Sequence, residues 1–312
     1  MHIPDHIVSM PVNAVTMVAA TAALAVSLWH VKRATKTAMT STPVLAMVAA
    51  FIFAIQMINF PIGGGTSGHF LGAVAAAAVL GPWGACLALS LVLMVQGIFF
   101  ADGGMTAIGS NIVNMGVIGG LLAYPLMRRL RALLPAGKAG FLAAAAGASW
   151  LSLMMASAAC AVELALSGTS PLATALPAMV STHALIGLGE ATLTVAALAA
   201  LVHFKPTLLP SWALMGHTTS QTDAKNVVAG GLVVALLLAT IGSPFASTAP
   251  DGLEKIVTAS HAVWSYSAFA DYQIAAIASE GLSTGLAGFI GTMIVFAVGF
   301  ALTRFTSRAS AT

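Results

Sequence analysis

The sequence predicts an all-α, polytopic integral membrane protein with about nine transmembrane helices. Hydrophobic residues fill 59% of the 312 positions and charged residues only 7%, whereas roughly a quarter of the residues in soluble domains are charged. Several apolar windows reach or approach the roughly 20 residues that a helix needs to cross a bilayer. Because a water-soluble surface cannot be built from this composition, we expect a lipid bilayer to surround most of the chain.

The predicted spans follow one another through mostly short connections. They cover residues 12–30, 43–60, 69–80, 85–100, 106–127, 141–166, 178–204, 227–245 and 282–303. The third span is short and flanked by glycine, which predicts a broken or re-entrant element that protein or a water-filled cavity must cover. The first seven spans form a predicted core (residues 1–205), followed by a cytoplasmic linker (206–226) and a C-terminal module (227–312) with two spans and a long outer loop.

The basic residues predict the orientation of the chain. If the nine spans alternate in direction, every Lys and Arg except Lys255 falls on one side of the membrane, and cytoplasmic loops carry the Lys and Arg excess. The N-terminus is therefore predicted outside the cytoplasm and the C-terminus inside, in a cytoplasmic-type (inner) membrane. The basic residues are scattered between apolar runs rather than gathered on one face, so we expect no nucleic-acid partner.

Met1 and His2 carry the most informative chemistry of the sequence. The α-amine of Met1, the backbone nitrogen of His2 and the His2 imidazole can wrap three nitrogens around one metal ion in fused chelate rings. Square-planar nitrogen coordination suits Ni²⁺ or Cu²⁺, whereas Mg²⁺, Ca²⁺ and Mn²⁺ prefer oxygen ligands. A histidine at the second position can also be an accident of sequence, and the motif alone does not exclude that.

His69 is the predicted fourth ligand. It ends the run Gly-Gly-Gly-Thr-Ser-Gly-His at residues 63–69, on the same predicted side of the membrane as the N-terminus. Glycine lets the backbone approach closely and fold back into a helix bundle, and such a run is a poor lipid-facing sequence. The alternative is a flexible loop followed by a histidine that starts a helix.

Four further polar residues lie inside predicted spans. His183 and Glu190 are seven residues apart and therefore share one helix face. An acid within the membrane costs about 2.5 to 3.5 kcal/mol or more and normally faces a partner in the bundle, so Glu190 is either functional or an interhelical hydrogen-bond partner, with proton coupling as a third reading. Asn111 and Asn114 either hold helices together or orient a metal ligand from the second shell.

Motifs for catalysis and for energy conversion do not occur in the sequence. It contains no Gly-x-x-x-x-Gly-Lys-Ser/Thr phosphate-binding loop and no His-Glu-x-x-His zinc motif, both of which carry defined chemistry. We therefore predict that the chain is not an enzyme and holds no covalently bound cofactor, and that the energy for any transport comes from partners or from an ion gradient.

Several separated motifs together resemble a known family. Residues 1–5 (MHIPD), 67–72 (SGHFLG), 99–120 and 183–194 are similar to the CbiM/NikM substrate-binding components of energy-coupling factor transporters. Residues 250–254 (PDGLE) look like the signature of the PDGLE module that often accompanies nickel and cobalt importers.

The resemblance implies a substrate-capture component for ATP-driven uptake of Ni²⁺ or Co²⁺. It implies metal ligands at Met1, His2 and His69, and as partners a coupling transmembrane subunit and two cytoplasmic ATPase subunits. In this family a glycine usually follows Pro-Asp near the N-terminus, where this chain has His6.

The runner-up function is a secondary metal transporter or channel that uses Glu190 and His183. Because amines and imidazoles must lose protons to bind metal, the affinity is predicted to fall between about pH 7.5 and 5.5.

Overall fold

A computed structural model describes residues 2–34, 42–63, 66–214, 224–247, 249, 251–254 and 267–308. Within these ranges the α-helices are α1 (Met10–Arg33), α2 (Thr42–Gln56), α3 (Ala73–Val95), α4 (Ile108–Asn111), α5 (Ala123–Leu133), α6 (Lys138–Leu166), α7 (Leu172–Phe204), α8 (Ser211–Leu214), α9 (Ala224–Leu237) and α10 (Glu280–Arg308). Segments of π-helix cover Gln96–Phe100, Ile112–Leu122 and Leu238–Gly242, and 3-10 turns cover Pro206–Leu208, Ser243–Phe245 and Ala270–Tyr272. Two strands, β1 (Asn59–Gly63) and β2 (Thr66–His69), complete the described elements.

The predicted polytopic helical fold is confirmed. Seven helical stretches of the described residues are long and apolar enough to cross a membrane, and the apolar helix Pro43–Gln56 is shorter. The seven stretches are Met10–Arg33, Ala73–Phe100, Ile108–Leu133, Lys138–Leu166, Leu172–Phe204, Ala224–Phe245 and Glu280–Leu302. The predicted fourth span and residues 73–80 of the predicted third span fall within the stretch Ala73–Phe100, whereas residues 69–72 precede it.

The chain reverses its direction in the middle of α3. Gly81 has φ 72° and ψ 176°, outside the helical region, and Pro82 follows it. Trp83 stacks on His30 at a centroid distance of 4.1 Å, close to the end of a helix of 24 residues, about 36 Å long at 1.5 Å per residue. His69 and Asp102, which flank this stretch, both lie beside His2. The neighbouring Ile3 contacts Asn111, and Ser110 contacts Thr16 in the N-terminal half of α1. Residues 73–80 and 83–100 are therefore the two arms of a helical hairpin.

The first arm is short because residues 70–72 enter the bundle without helical structure. The freed backbone groups find side-chain partners: Leu71 N–H and Gly72 N–H donate to the two carboxylate oxygens of Glu190 at 2.6 and 3.1 Å. Gln56 Nε2 donates to the Leu71 carbonyl at 2.9 Å. Irregular backbone at membrane depth is tolerated when protein satisfies it in this way, which accounts for the broken element predicted from the sequence.

The glycine-rich run forms a small antiparallel hairpin of β1 and β2, with Asn59 opposite His69 and Phe60 opposite Gly68. The prediction had assigned residue 60 to the end of a helix and His69 to the start of another. Strand pairing here presents His69 at the end of a backbone ladder, whereas α3 begins only at Ala73.

The C-terminal helices pack against α2. Gly231 of α9 lies against the Met47 side chain, and Gly291 of α10 lies against the ring of Phe53. The small residues let these helices approach closely, as is common between helices in a membrane. The predicted linker falls partly on residues 215–223, which lie outside the described residues, as do Met1, Pro250 and Lys255. The division at residues 205 and 227 stays a prediction.

Candidate metal centre

The segment that precedes α1 is inserted into the bundle and held there by its backbone. Asn111 accepts a hydrogen bond from Ile3 N–H at 2.8 Å through Oδ1 and donates to the Ile3 carbonyl at 3.1 Å through Nδ2. Gly104 N–H also donates to the Ile3 carbonyl at 2.8 Å. Ile3 is fully buried, so these bonds satisfy backbone groups that water does not reach. Asn111 thereby fixes the residue next to His2.

A second set of contacts stabilises the turn that follows, at Asp5 and His6. Asp5 Oδ1 accepts hydrogen bonds from Thr106 N–H and from the Thr106 hydroxyl at 2.7 and 2.6 Å. His6 has φ 66°, the left-handed conformation that favours glycine, and its side chain is exposed. The backbone at this position therefore keeps the turn that glycine would adopt, and the imidazole of His6 is exposed, whereas that of His2 is buried.

His2 and His69 meet although 67 positions of sequence separate them. Their rings stack with centroids 4.9 Å apart and an angle of 22° between the planes. His2 is 8% exposed. Burial, followed by the charge of nearby groups including His2, lowers the pKa of His69 to about 3, so this imidazole is neutral, the state that binds metal. Met1, the other predicted ligand, lies outside the described residues.

The Asp102 carboxylate reaches the same point. Asp102 Oδ1 lies 3.0 Å from His2 Nδ1, and Asp102 Oδ2 accepts a hydrogen bond from the Tyr272 hydroxyl at 2.5 Å. Burial alone would raise the pKa of Asp102, but the charge of His2 and hydrogen bonds from His2 and Tyr272 hold it well below its usual range. Burial and the Asp102 charge raise the pKa of Tyr272 well above its usual value, so Tyr272 remains a donor.

His183 lines the same cavity as His69. Its Nδ1 is 2.8 Å from the Met179 carbonyl one turn earlier in α7, and its buried Nε2 has no hydrogen-bond partner among the described residues. A cavity of about 10 Å³, close to the size of one water molecule, is lined in part by His69, His183 and Asp251. His183 therefore faces the site without a direct contact to His2 in the described structure.

The remaining predicted polar residues hold helices together. Glu190 accepts the two backbone hydrogen bonds that stabilise residues 71 and 72, and Ser149 Oγ lies 3.5 Å from its Oε1. Asn114 Nδ2 donates to Glu163 Oε2 of α6 at 2.8 Å. Both contacts are buried hydrogen bonds between separate elements, which is one of the readings that the sequence left open for each residue.

Sequence reasoning did not assign Asp102 and Tyr272 to the centre. Asp102 follows a span in a glycine-containing loop, a signal too weak to single it out, and Tyr272 lies 170 positions further along the chain. Among the described residues no three His, Cys, Asp or Glu side chains cluster closely enough to hold a metal by themselves. The predicted site differs from such a cluster because half of its four nitrogens belong to the main chain.

Family models match nearly the whole chain. The model described as "Cobalt uptake substrate-specific transmembrane region" matches residues 2–208. The model described as "PDGLE domain" matches residues 225–308. The first match alone covers about two thirds of the chain.

Relatives and solved structures agree with these matches. A putative fused nickel transport protein NikMN of Archaeoglobus fulgidus is 31% identical over 99% of this chain and 100% of its own length. A fused nickel transport protein NikMN of Rhodobacter capsulatus is 38% identical over 67% of this chain and 64% of its own. A crystal structure of a transition metal transporter is 31% identical, with a TM-score of 0.58 over 69% of this chain and 100% of that chain. This multi-pass membrane protein therefore belongs to the cobalt uptake substrate-specific transmembrane family, carries a PDGLE domain, and is a membrane component of nickel or cobalt transport.

Proposed function

We propose that the chain is the substrate-capture component of an ATP-driven importer of Ni²⁺ or Co²⁺. The ion is bound by the Met1 amine, the backbone nitrogen and imidazole of His2, and the imidazole of His69. The observation that carries this proposal is the stacking of the His2 and His69 rings at 4.9 Å in a buried pocket. Square-planar nitrogen ligation favours Ni²⁺ over Co²⁺.

The surrounding residues support a preorganised site. Asn111 and Gly104 hold the Ile3 backbone, so the adjacent His2 has little freedom to leave the pocket. Supports of this kind keep metal ligands in the geometry that binding needs. A bundle that only packed its helices would have no need to bury a chain segment whose His2 Nε2 has no hydrogen-bond partner among the described residues.

The partners in this proposal are a coupling transmembrane subunit and two cytoplasmic ATPase subunits, which supply the phosphate-binding loops that the sequence lacks. The N-terminus and the metal centre face outward and the C-terminus faces the cytoplasm. Co-purification of ATPase subunits with the tagged chain tests the coupling. Metal uptake that continues in cells lacking such ATPases would favour the runner-up, a gradient-driven transporter.

The runner-up uses Glu190 and His183 as a proton relay, and the contacts of Glu190 weigh against it. Both carboxylate oxygens accept backbone hydrogen bonds, which supports a structural role for this acid.

Equilibrium titration of the purified, detergent-solubilised chain with Ni²⁺ and with Co²⁺ tests the site. A tag fused before Met1 blocks the α-amine and should abolish high-affinity binding, whereas the same tag after Thr312 should leave binding unchanged. Full binding by the form with the N-terminal tag would exclude the four-nitrogen site.

A further inference from the structure

A chain of three hydrogen-bonded residues connects the PDGLE domain to the predicted metal ligand His2. The Tyr272 hydroxyl donates to Asp102 Oδ2 at 2.5 Å, and Asp102 Oδ1 lies 3.0 Å from His2 Nδ1. Tyr272 lies within residues 225–308, the part of the chain that the PDGLE model matches. Asp102 belongs to the loop that follows the second arm of the α3 hairpin.

Tyr272 is held firmly in this position. Its ring stacks on Phe100 with centroids 4.9 Å apart and 27° between the planes. Gln96 Nε2 donates to its hydroxyl at 3.2 Å, so the hydroxyl both accepts a hydrogen bond and donates one. Nearby, Phe269 N–H donates to the Phe99 carbonyl at 2.9 Å. The backbone of Tyr272 has φ 57°, a conformation that is uncommon for a residue with a bulky side chain and that persists where the surroundings enforce it.

The position of Asp102 next to Nδ1 matters because of chelate geometry. Nδ1 is the ring nitrogen that can close a six-membered ring with the backbone nitrogen of the same histidine, whereas Nε2 lies on the far side of the imidazole. A divalent ion held by an amine, two imidazoles and one deprotonated amide keeps a net positive charge. In the metal-free chain Nδ1 carries a proton that it donates to Asp102. A metal ion bound at Nδ1 takes the place of this proton, which leaves to solvent, and the Asp102 carboxylate then lies beside the ion and can neutralise its charge. A buried, uncompensated charge is costly.

We propose that Asp102 is the anionic partner of the bound ion and that Tyr272 is a positioning residue that holds this carboxylate against His2. The inference rests on the proposed function and extends it, because it assigns to the PDGLE domain a part in ion retention without a ligand of its own. Outer-shell partners of a metal site typically change metal affinity by about 10 to 100-fold when they are removed.

The test measures Ni²⁺ affinity of the purified full-length chain by competition with a chelator. We expect Asp102→Asn to weaken binding by about 10 to 100-fold and Tyr272→Phe to weaken it by about tenfold, the lower end of that range. Because Tyr272 acts through Asp102, the double variant should bind no more weakly than Asp102→Asn alone, which is the signature of coupled residues in a double-mutant cycle. The Ni²⁺ absorption spectrum should shift in both single variants.

Tyr124→Phe is the matched control. It removes a hydroxyl that accepts a hydrogen bond from Trp212 Nε1 at 3.0 Å, away from the metal centre, and should leave Ni²⁺ affinity and the absorption spectrum unchanged. Thermal unfolding of the metal-free variants checks that each is folded. If Asp102→Asn does not fold, the affinity and spectrum of Tyr272→Phe decide the question by themselves.

The outcomes separate this inference from the proposed function. Unchanged affinity and spectrum in folded Asp102→Asn and Tyr272→Phe, or losses that simply add in the double variant, would overturn the positioning role. In either case strong binding by the unmodified chain and its loss in His2→Ala would leave the proposed function standing. Absence of Ni²⁺ and Co²⁺ binding by the unmodified chain would instead contradict the proposed function itself.

Discussion

Asn111 makes two hydrogen bonds to the backbone of Ile3: its Oδ1 accepts from the Ile3 N–H at 2.8 Å, and its Nδ2 donates to the Ile3 carbonyl at 3.1 Å. Asn111→Ala should leave the buried Ile3 N–H without a partner, at a cost of about 1 to 3 kcal/mol, while the Ile3 carbonyl keeps the hydrogen bond from Gly104 N–H. We expect Ni²⁺ affinity to fall by about tenfold or more, since 1.4 kcal/mol is one factor of ten. Thr192→Ala, which removes an exposed hydrogen bond within α7, is the control. Equal Ni²⁺ affinities of the two variants would contradict this role.

Gly104→Ala should displace the N-terminal segment. A Cβ at this position would lie 2.3 Å from Asp5 N and 2.6 Å from Pro4 C, and these backbone atoms can yield only by moving the segment that carries His2. We expect loss of high-affinity Ni²⁺ binding, measured by titration, while the helical content seen by circular dichroism is retained. Gly230→Ala has nothing within 4 Å of the new Cβ and should bind as the unmodified chain does. Normal binding by Gly104→Ala would show that the segment has room to adjust.

Alanine substitutions of three histidines should separate metal ligands from supporting residues by the loss of Ni²⁺ affinity that each causes. His2→Ala and His69→Ala should each abolish high-affinity Ni²⁺ binding, because both remove a predicted ligand. His183→Ala should weaken binding by about 10 to 100-fold, the usual loss from the second shell. His203→Ala, at an exposed position near the end of α7, should have no effect. Equal losses at positions 2, 69 and 183 in the same titration would mean that His183 is also a ligand.

Glu190→Gln should affect stability more than transport. A glutamine can accept through one side-chain oxygen only, so one of the two N–H groups at residues 71 and 72 would lose its acceptor. We expect a loss of about 1 to 3 kcal/mol in stability, seen as a lower unfolding temperature. Glu280→Gln, at the exposed start of α10, should unfold at the original temperature. Unchanged stability together with uptake that no longer responds to a proton gradient would favour the relay.

The pH dependence of binding should be shallower than the sequence predicts. The sequence-based prediction uses the reference imidazole pKa of about 6.5 for both ligands. In the structure, burial lowers the pKa of His69 to about 3. A lowered pKa means that His69 is already neutral between pH 7.5 and 5.5, so this ligand releases no proton to the metal in that window. We still expect affinity to fall with pH, because the α-amine titrates near 7.7 to 8.0. The slope of log Kd against pH measures the number of protons released; a slope that includes a His69 proton would contradict this assignment.

The sequence predicted the helical membrane fold and the meeting of His2 with His69, for understandable reasons. Apolar windows of span length leave little choice of fold in a bilayer, and the glycine run before His69 indicated a backbone that folds back into the bundle. The broken third span was also predicted, because residues 69–80 are too short to cross the membrane as a helix.

The rest of the centre depends on tertiary contacts that leave no local pattern. Nothing around Tyr272 marks it as a partner of Asp102, because the two are 170 positions apart and a single tyrosine in a polar loop has many ordinary roles. The β1–β2 hairpin was missed as well, since its strands have only 5 and 4 residues and are too short for an alternating pattern to stand out. The sequence singles out Glu190 as an unusual residue, but its backbone partners at residues 71 and 72 could be recognised only in the structure.

The reversal at Gly81 gives the α3 hairpin one tip and two ends. The tip, marked by Trp83, rests against His30, and the arms lead back to His69 and Asp102. Because both ends return to His2, two groups that are 33 positions apart in the sequence reach the same point of the bundle. One contiguous stretch of chain therefore supplies two of the neighbours of His2.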